Sequence, residues 1–377
     1  MKETNEDMER RVLVLGRGKS GEAAAKLAEA GGKSVDFADG VGLVVASPGV
    51  RVMSELEFGC RALKRLDVRM LAVTGSKGKS SVVKLVADAL NLVGFRATPC
   101  GNYGLPVSEL ANQLSTLDFQ LSTQTWAVVE VSSFMMETTN LPPDTFEAAA
   151  ILNLQEDHLD RHGSVEVYHA LKRKLLSCAK KRIVGGELKE TPLPKGSYFD
   201  NDVLRANGAV AVELMRAAGL GDEVINRAFV EFEPLPHRFQ TVAEIDGVRY
   251  VDDSKATSVA ALMAGVTMAG GGVRLIAGGL AKGDDPKSAS SLLTKRVKKV
   301  YLIGRCAEEF RSAWSDAVDC EVCETMERAV EAAKREAEKG DTVLLSPGTA
   351  SFDQFKSFGE RGDVFASLVK KEGQKTK

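Results

Sequence analysis

The sequence predicts an α/β protein: three Rossmann-like or P-loop-type α/β domains with mainly parallel sheets. Two observations carry this. Short apolar runs alternate along the chain with helical stretches of about 10–15 residues, the pattern of parallel strands joined by crossover helices. Glycine turns follow directly on two of these runs, Val12–Leu15 and Leu71–Val73, as they do where a buried strand hands over to a helix. A length of 377 residues, 44% of them apolar and 27% charged, suits two or three domains with cores of their own. The net charge of −2 excludes a general polyanion binder, so neither nucleic acid nor an anionic membrane is expected as a partner.

The first unit, residues 1–68, begins with the charged stretch Met1 to Arg11. The run Val12–Leu15 then ends in Gly16-Arg-Gly18-Lys-Ser-Gly21 and a helix to Ala30, with further strands at Ser34–Phe37 and Leu43–Ala46. Its Gly-x-Gly-x-x-Gly, with Asp36 twenty positions after Gly16, has the form of a dinucleotide fingerprint, but the same turn can hold any phosphorylated ligand. Lys19, Ser20, Asp36 and the loop Ser47-Pro48-Gly49 are its candidate contacts. The second unit, residues 69–234, starts with the strand at Met70 and ends where Glu233-Pro-Leu-Pro-His237 breaks regular structure. The third, residues 235–377, has candidate strands at Val248–Val251, Val273–Ala277, Val300–Ile303 and Thr342–Leu345. No apolar run approaches a membrane span, and a cytoplasmic protein is expected. Six cysteines, at 60, 100, 178, 306, 320 and 323, are too sparse for a disulfide framework. Cys320-x-x-Cys323 has no second pair or nearby His, and fits a strand and its turn better than a zinc or redox site.

The most specific motif lies in the second unit. Gly75-Ser76-Lys77-Gly78-Lys79-Ser80-Ser81 joins an apolar strand to an amphipathic helix. Glycines let main-chain N–H groups crowd an anion, the helix dipole points at the same place, Lys79 adds a cation and Ser80 can hold Mg²⁺. A nucleoside triphosphate is the expected ligand. The spacing between the glycines is two residues shorter than the usual phosphate-loop pattern, which points away from a generic motor or GTPase. Glu130 ends the strand Trp126-Ala-Val-Val-Glu130, on the sheet edge where α/β proteins gather ligands, and could complete a Mg²⁺ shell with Ser80. The strand Ile151-Leu-Asn-Leu delivers His158 to the same edge, as a metal or phosphate neighbour. His158 and His162 share a helical spacing, but Leu159 between them excludes a zinc-protease arrangement.

Several strings, in this order, together resemble the Mur ligases of peptidoglycan synthesis. They are Thr74-Gly-Ser-Lys-Gly-Lys-Ser-Ser81, Gly101-Asn102-Tyr-Gly104, Glu130-Val-Ser-Ser-Phe134, Asn153-Leu-Gln-Glu-Asp-His158, Pro236-His-Arg-Phe239, Asp253-Ser-Lys255-Ala-Thr257 and Ser346-Pro-Gly-Thr-Ala-Ser351-Phe-Asp-Gln-Phe355. The last two are most similar to the D-glutamate-adding branch, and the likeness covers nearly the whole chain. It implies an ATP-driven amide bond: the L-alanine carboxylate of UDP-N-acetylmuramoyl-L-alanine attacks the γ-phosphoryl group, and the amine of D-glutamate displaces phosphate from the acyl phosphate. By the same resemblance Lys79 cradles the β and γ phosphates, Ser80 and Glu130 hold one Mg²⁺, and His158 helps place a second. Asn102 contacts the muramoyl substrate. Lys172 stands where the family carries a carbamylated lysine, a carboxylate on a long stem that binds Mg²⁺ where an ammonium would repel it. Without the resemblance it is one of three consecutive cations, Lys172-Arg173-Lys174, on an amphipathic helix. Arg238 matches an arginine that reaches the ATP phosphates, Asn207 and Asp253 match contacts to the adenosine half, and Lys255, Thr257, Lys282, Ser351 and Phe358 match the surroundings of D-glutamate. A monomer is expected.

Two departures stand out. The first unit is shorter than the family's uridine-binding domain, with room for only Ala-Asp-Gly-Val-Gly between Phe37 and Leu43, and Val203-Leu204 replace a His-Asn on the adenine side. Two other classes therefore stay open, a folylpolyglutamate synthase-like or other Mur-type ligase acting on a different acid, and a non-catalytic ATP-binding regulator. Retention of Lys79, Glu130 and His158 opposes the latter.

Overall fold

A computed structural model describes residues 11–38, 52–116, 124–155 and 159–371. Contacts group the chain into two compact units, residues 1–200 with 204–232, and residues 201–203 with 233–377. The division after Phe232 falls in the proline-containing stretch Glu233-Pro-Leu-Pro-His237, which carries no helix or strand.

The first unit holds two parallel sheets. The smaller pairs β1 (Arg11–Leu15) with β2 (Ser34–Ala38) across the helix Lys19–Ala30. The larger has the order β4-β5-β3-β6-β7, from β3 (Arg69–Thr74), β4 (Arg96–Gly101), β5 (Thr125–Glu130), β6 (Phe146–Ile151) and β7 (Ala179–Val184), all parallel. β3 and β5 are buried almost throughout because helices cover both faces of the sheet. One face packs against Val82, Val83, Leu85, Val86 and Leu90 of the helix Lys79–Leu92, together with Phe199, Val210, Leu214 and Phe229. The other packs against Leu56, Cys60 and Leu63 of the helix Glu55–Arg65 and Val107, Leu110 and Leu114 of the helix Val107–Ser115. The strands missing from the sequence pattern are the two edges, and the strand read from Ile151 to Leu154 lies earlier, as β6, and ends at Ile151. β4 carries Pro99, which a central strand cannot accept, and β7 carries three successive exposed cations, Lys180, Lys181 and Arg182.

The second unit is a six-stranded sheet of order β12-β11-β10-β13-β9-β8. Its strands are β8 (Gln240–Ile245), β9 (Val248–Asp252), β10 (Val273–Gly278), β11 (Val297–Ile303), β12 (Asp319–Glu324) and β13 (Thr342–Leu345). All neighbours are parallel except β8 and β9, an antiparallel hairpin turned at Asp246-Gly247. β12 contains Cys320 and Cys323, so the close cysteine pair is part of an edge strand. Among the described residues no helix is long and apolar enough to cross a membrane.

Trp126 on β5 is fully buried, with the Arg69 guanidinium 4.0 Å from its ring centroid. Trp126→Ala should cost about 3–5 kcal/mol, read as a fall in the urea midpoint of the first unit. A loss well below 1 kcal/mol would mean that the sheet closes over the gap.

Candidate active site

The loop after β3 is shaped for an anion. Gly78 caps the helix Lys79–Leu92 in a left-handed conformation, φ +86°, without a side-chain hydrogen bond to the first turn, and that turn contains no carboxylate. The helix dipole and amide donors at this end therefore remain turned toward a ligand. Gly78 is also required for space, since a Cβ there would run into the Asn207 amide, 3.1 Å from its Cγ. Asn153 closes the loop from behind. Its Oδ1 accepts the Lys77 N–H at 2.9 Å, and its Nδ2 donates to the Lys77 carbonyl at 2.9 Å and to Asn207 Oδ1 at 3.1 Å. Ser76 is pinned as well, its hydroxyl donating to the Gln155 carbonyl and accepting the Gln155 N–H and the Tyr168 hydroxyl. Ser80 and Ser81 are buried in the first helical turn, and Lys77 is exposed.

Two lysines converge on one carbonyl. Lys79 Nζ donates to Gly75 O at 2.8 Å and to Ser76 O at 3.1 Å, and Lys172 Nζ donates to the same Gly75 O at 2.9 Å. Lys172 is 1% exposed on the helix Val165–Lys174, with its ammonium 4.5 Å from the Tyr168 ring centroid. It is thus a buried cation beneath the phosphate loop, although a run of three cations on an amphipathic helix reads as solvated.

Glu130 ends β5 opposite Val73 of β3 and is 2% exposed. Its Oε1 accepts from Asn102 Nδ2 at 2.7 Å, while Oε2 has no hydrogen-bond partner among the described residues, and neither has the buried Thr74 Oγ1 on the adjacent strand. A buried carboxylate oxygen without a donor is costly, and a hard divalent cation resolves that cost. The residues present therefore fit Mg²⁺. His158 lies outside the described residues. His162, four positions on, is buried with Nε2 3.0 Å from Ser133 Oγ and Nδ1 3.3 Å from Glu137.

Beside Asn102 opens a cavity of about 460 Å³, lined also by Lys19, Ser20, Ser54, Glu55 and Thr138. The structure thus brings Lys19 and Ser20, at the start of the helix Lys19–Ala30, to the same cavity as Asn102. Asp36 is exposed on β2 and is not among the lining residues, and Ser47, Pro48 and Gly49 lie outside the described residues.

In the second unit, Lys255 places its ammonium 4.1 Å from the Phe358 ring centroid. Leu280 and Ala350 pair main chain to main chain, which sets the loop of exposed Lys282 beside that of buried Ser351. Thr257 is half-buried just before the helix Val259–Ala269. Arg361, 1% exposed, ties these loops together by donating to Ser254 Oγ and to the carbonyls of Ser254, Thr349 and Ala350. Burial holds its guanidinium down at about 10, against the opposing pull of Asp353 and Asp252. Asp253 accepts the Ser346 hydroxyl and the Phe239 N–H, and the half-buried Arg238 lies close by. Asn153 stands inside a recognisable string without an assigned role, and nothing in the pattern of the last helix marks Arg361.

A glycine phosphate loop under a parallel sheet edge, with a buried acid and a buried lysine beside it, defines a nucleotide-binding α/β protein. Residues 73–184 match the Mur ligase middle domain and residues 237–348 match the Mur ligase, glutamate ligase domain. UDP-N-acetylmuramoylalanine--D-glutamate ligase of Nitratidesulfovibrio vulgaris is 32% identical over 95% of this chain and 95% of its own length, and that of Koribacter versatilis 32% over 98% and 99%. The MurF ligase of Thermotoga maritima, solved in complex with ADP, superposes with a TM-score of 0.63 at 15% identity, over 95% of this chain and 93% of its own. The chain belongs to the Mur ligase family.

Gly78→Ala should abolish nucleotide binding while the far-ultraviolet circular dichroism stays unchanged; wild-type affinity in isothermal titration would show that the loop does not need its left-handed residue. Burial pushes the Asp253 carboxyl from its ordinary 3.8 up to about 7, against the opposing pull of the Ser346 and Phe239 donors. The folded chain therefore keeps a proton that the unfolded chain releases, and this contribution to stability is full below about pH 4 and is lost as pH climbs to about 7. Asp253→Asn should flatten that slope in thermal melts between pH 4 and 8. An identical slope in the variant would assign it to another group.

Proposed function

We propose that this chain is an ATP-dependent ligase that joins D-glutamate to the L-alanine carboxylate of UDP-N-acetylmuramoyl-L-alanine, a step of peptidoglycan precursor synthesis. The observation that carries it is the phosphate loop with Lys79 and Lys172 on the Gly75 carbonyl, next to a buried Glu130 with one oxygen unpartnered among the described residues, in a chain about 32% identical to ligases named for this reaction. The three-part division at residues 68 and 234 is part of the same proposal: a shortened segment for the nucleotide-sugar, a central ATP domain and a C-terminal amino-acid domain.

The reaction brings together a carboxylate, a triphosphate and a dicarboxylic amino acid, so cations and oriented amides do most of the work and no protein nucleophile is needed. Lys79 and the loop of residues 75–81, through those N–H groups that are not already bonded to Asn153, hold the phosphates. Glu130 and Ser80 hold a first Mg²⁺, and His158 and a carbamylated Lys172 a second; bound Mg²⁺ supplies neutralisation of phosphate charge. The Lys172 carbamate forms from the neutral amine and CO₂ with release of a proton, and its remaining N–H can keep the Gly75 bond. Asn102, Lys19 and Ser20, with Asp36 and the Ser47-Pro48-Gly49 loop, address the nucleotide-sugar, although the pocket lacks a full-length uridine domain. Asn207, Arg238 and Asp253 address ATP. Lys255, Thr257, Lys282, Ser351 and Phe358 address D-glutamate, whose two carboxylates require cations and hydroxyl donors. The protein acts in the cytoplasm as a monomer.

Phosphate release with ATP, Mg²⁺ and UDP-N-acetylmuramoyl-L-alanine should require D-glutamate and should not occur with L-glutamate, L-lysine or diaminopimelate. Release with another acid substrate or amino acid would reassign the ligase. Glu130→Gln should lower kcat on the order of 10²-fold or more, and bicarbonate should stimulate the wild type but not Lys172→Ala.

A further inference from the structure

Arg238 sits in a turn that the chain holds in an unfavourable shape. The residues on either side of it, His237 and Phe239, have φ of +60° and +51°, a left-handed backbone that residues with a Cβ resist, the bulky Phe239 more than His237. Such a conformation persists where the surroundings over-determine it. Two consecutive carboxylates at the end of β9 do so. Asp252 Oδ2 lies 2.7 Å from His237 Nδ1, and Asp252 Oδ1 accepts the Ser254 N–H. Asp253 Oδ1 accepts the Phe239 N–H at 3.1 Å, while its Oδ2 accepts the Ser346 hydroxyl at 2.9 Å. The His237 main chain is held too, its carbonyl by the Lys255 N–H and its N–H by Gln240 Oε1.

Each carboxylate is seated against a glycine inside a helix. A Cβ on Gly362, in the helix Phe358–Lys371, would lie 2.5 Å from Asp252 Oδ2 and collide with the His237 ring. A Cβ on Gly265, in the helix Val259–Ala269, would lie 2.6 Å from Asp253 Oδ2 and 2.8 Å from Ser346 Oγ. Neither glycine has a positive φ, so space is the reason for both. Glycine weakens a helix interior, and here one is placed at each point where a carboxylate has to fit. Two left-handed residues and two helical glycines thus converge on the single triplet His237-Arg238-Phe239.

We propose that Asp252 and Asp253, seated on Gly362 and Gly265, form a clamp that presets the Arg238 side chain for an anionic ligand. The clamp rests on Arg238 meeting the ATP phosphates. His237 and Asp252 are then positioning residues, and Asp253, which the proposed function also gives to ATP, holds the Phe239 backbone as well. An arginine side chain left to find its rotamer on binding loses entropy, and holding its backbone in advance removes part of that loss before the nucleotide arrives. The burial that raises Asp253 marks the same carboxylate as one the fold keeps out of water.

The test is steady-state kinetics with ATP varied, on the full chain, for Arg238→Ala, Asp252→Ala, Asp252→Asn, Gly362→Ala and the double variant Arg238→Ala/Asp252→Ala, each checked by thermal melting. Asp252→Ala should lower kcat/KM for ATP by up to roughly tenfold, the size of one arginine rotamer set free, with KM for the amino acid unchanged. Asp252→Asn can keep its oxygen on the Ser254 N–H and donate its amide to His237 Nδ1 in the other tautomer, and should stay within about twofold of wild type; in the double variant the Asp252 change should add less than about twofold to Arg238→Ala. Full activity of Asp252→Ala, or additive losses in the double variant, overturns the clamp. Arg238→Ala without effect on ATP overturns instead the assignment of Arg238 on which the clamp rests. If Asp252→Ala does not fold, the decision passes to Gly362→Ala, which should show the same selective loss on ATP against an intact Asp252→Asn; equal losses for ATP and amino acid in that variant would overturn the clamp as well.

Discussion

One carbonyl oxygen organises the nucleotide end of this molecule. Gly75 O accepts from Lys79 and from Lys172 at nearly equal distances, so two ammonium groups are gathered at a loop that already turns its amides and a helix dipole the same way. Like charges held this close in a buried setting repel, a cost that the proposed carbamate on Lys172 or a bound phosphate would relieve. The polar contacts around the loop keep that carbonyl in position. Asn153 fixes Lys77, Tyr168 and Gln155 fix Ser76, and Asn207 occupies the space that Gly78 leaves open.

The acids obey the complementary rule. Glu130 is withdrawn from water with one oxygen satisfied by Asn102 and the other without a partner among the described residues, which is tolerable at a site that receives a metal ion and costly elsewhere. Asp252 and Asp253 are satisfied, but only because two helices each give up a side chain to admit them. Arg361 shows the same rule with opposite sign: a buried cation held by carbonyls and a hydroxyl, which draws separate loops of the second unit onto one point.

Central strands and the phosphate loop were legible because their chemistry is local. β3 and β5 are continuous apolar runs, and the glycine, lysine and serines after β3 are adjacent in sequence. The edge strands were not legible: β4 carries a proline, β7 a run of cations and β8 a half-buried pattern, all of which an edge tolerates since it pairs on one side only. Arg361 was equally silent, since an arginine in a mixed helix is normally solvated and its burial follows from the loops that close over it.

By itself the sequence determined the alternation of strand and helix, the anion-binding turn and, through strings of neighbouring residues, the Mur ligase resemblance, because each of these depends on residues within a few positions of one another. Only the tertiary structure decided which charges are buried and what they touch. Lys172 reaches Gly75 across 97 positions and Arg361 reaches Ser254 across 107, and the cost or benefit of a buried charge is set by partners that the chain brings together only when the sheets have formed.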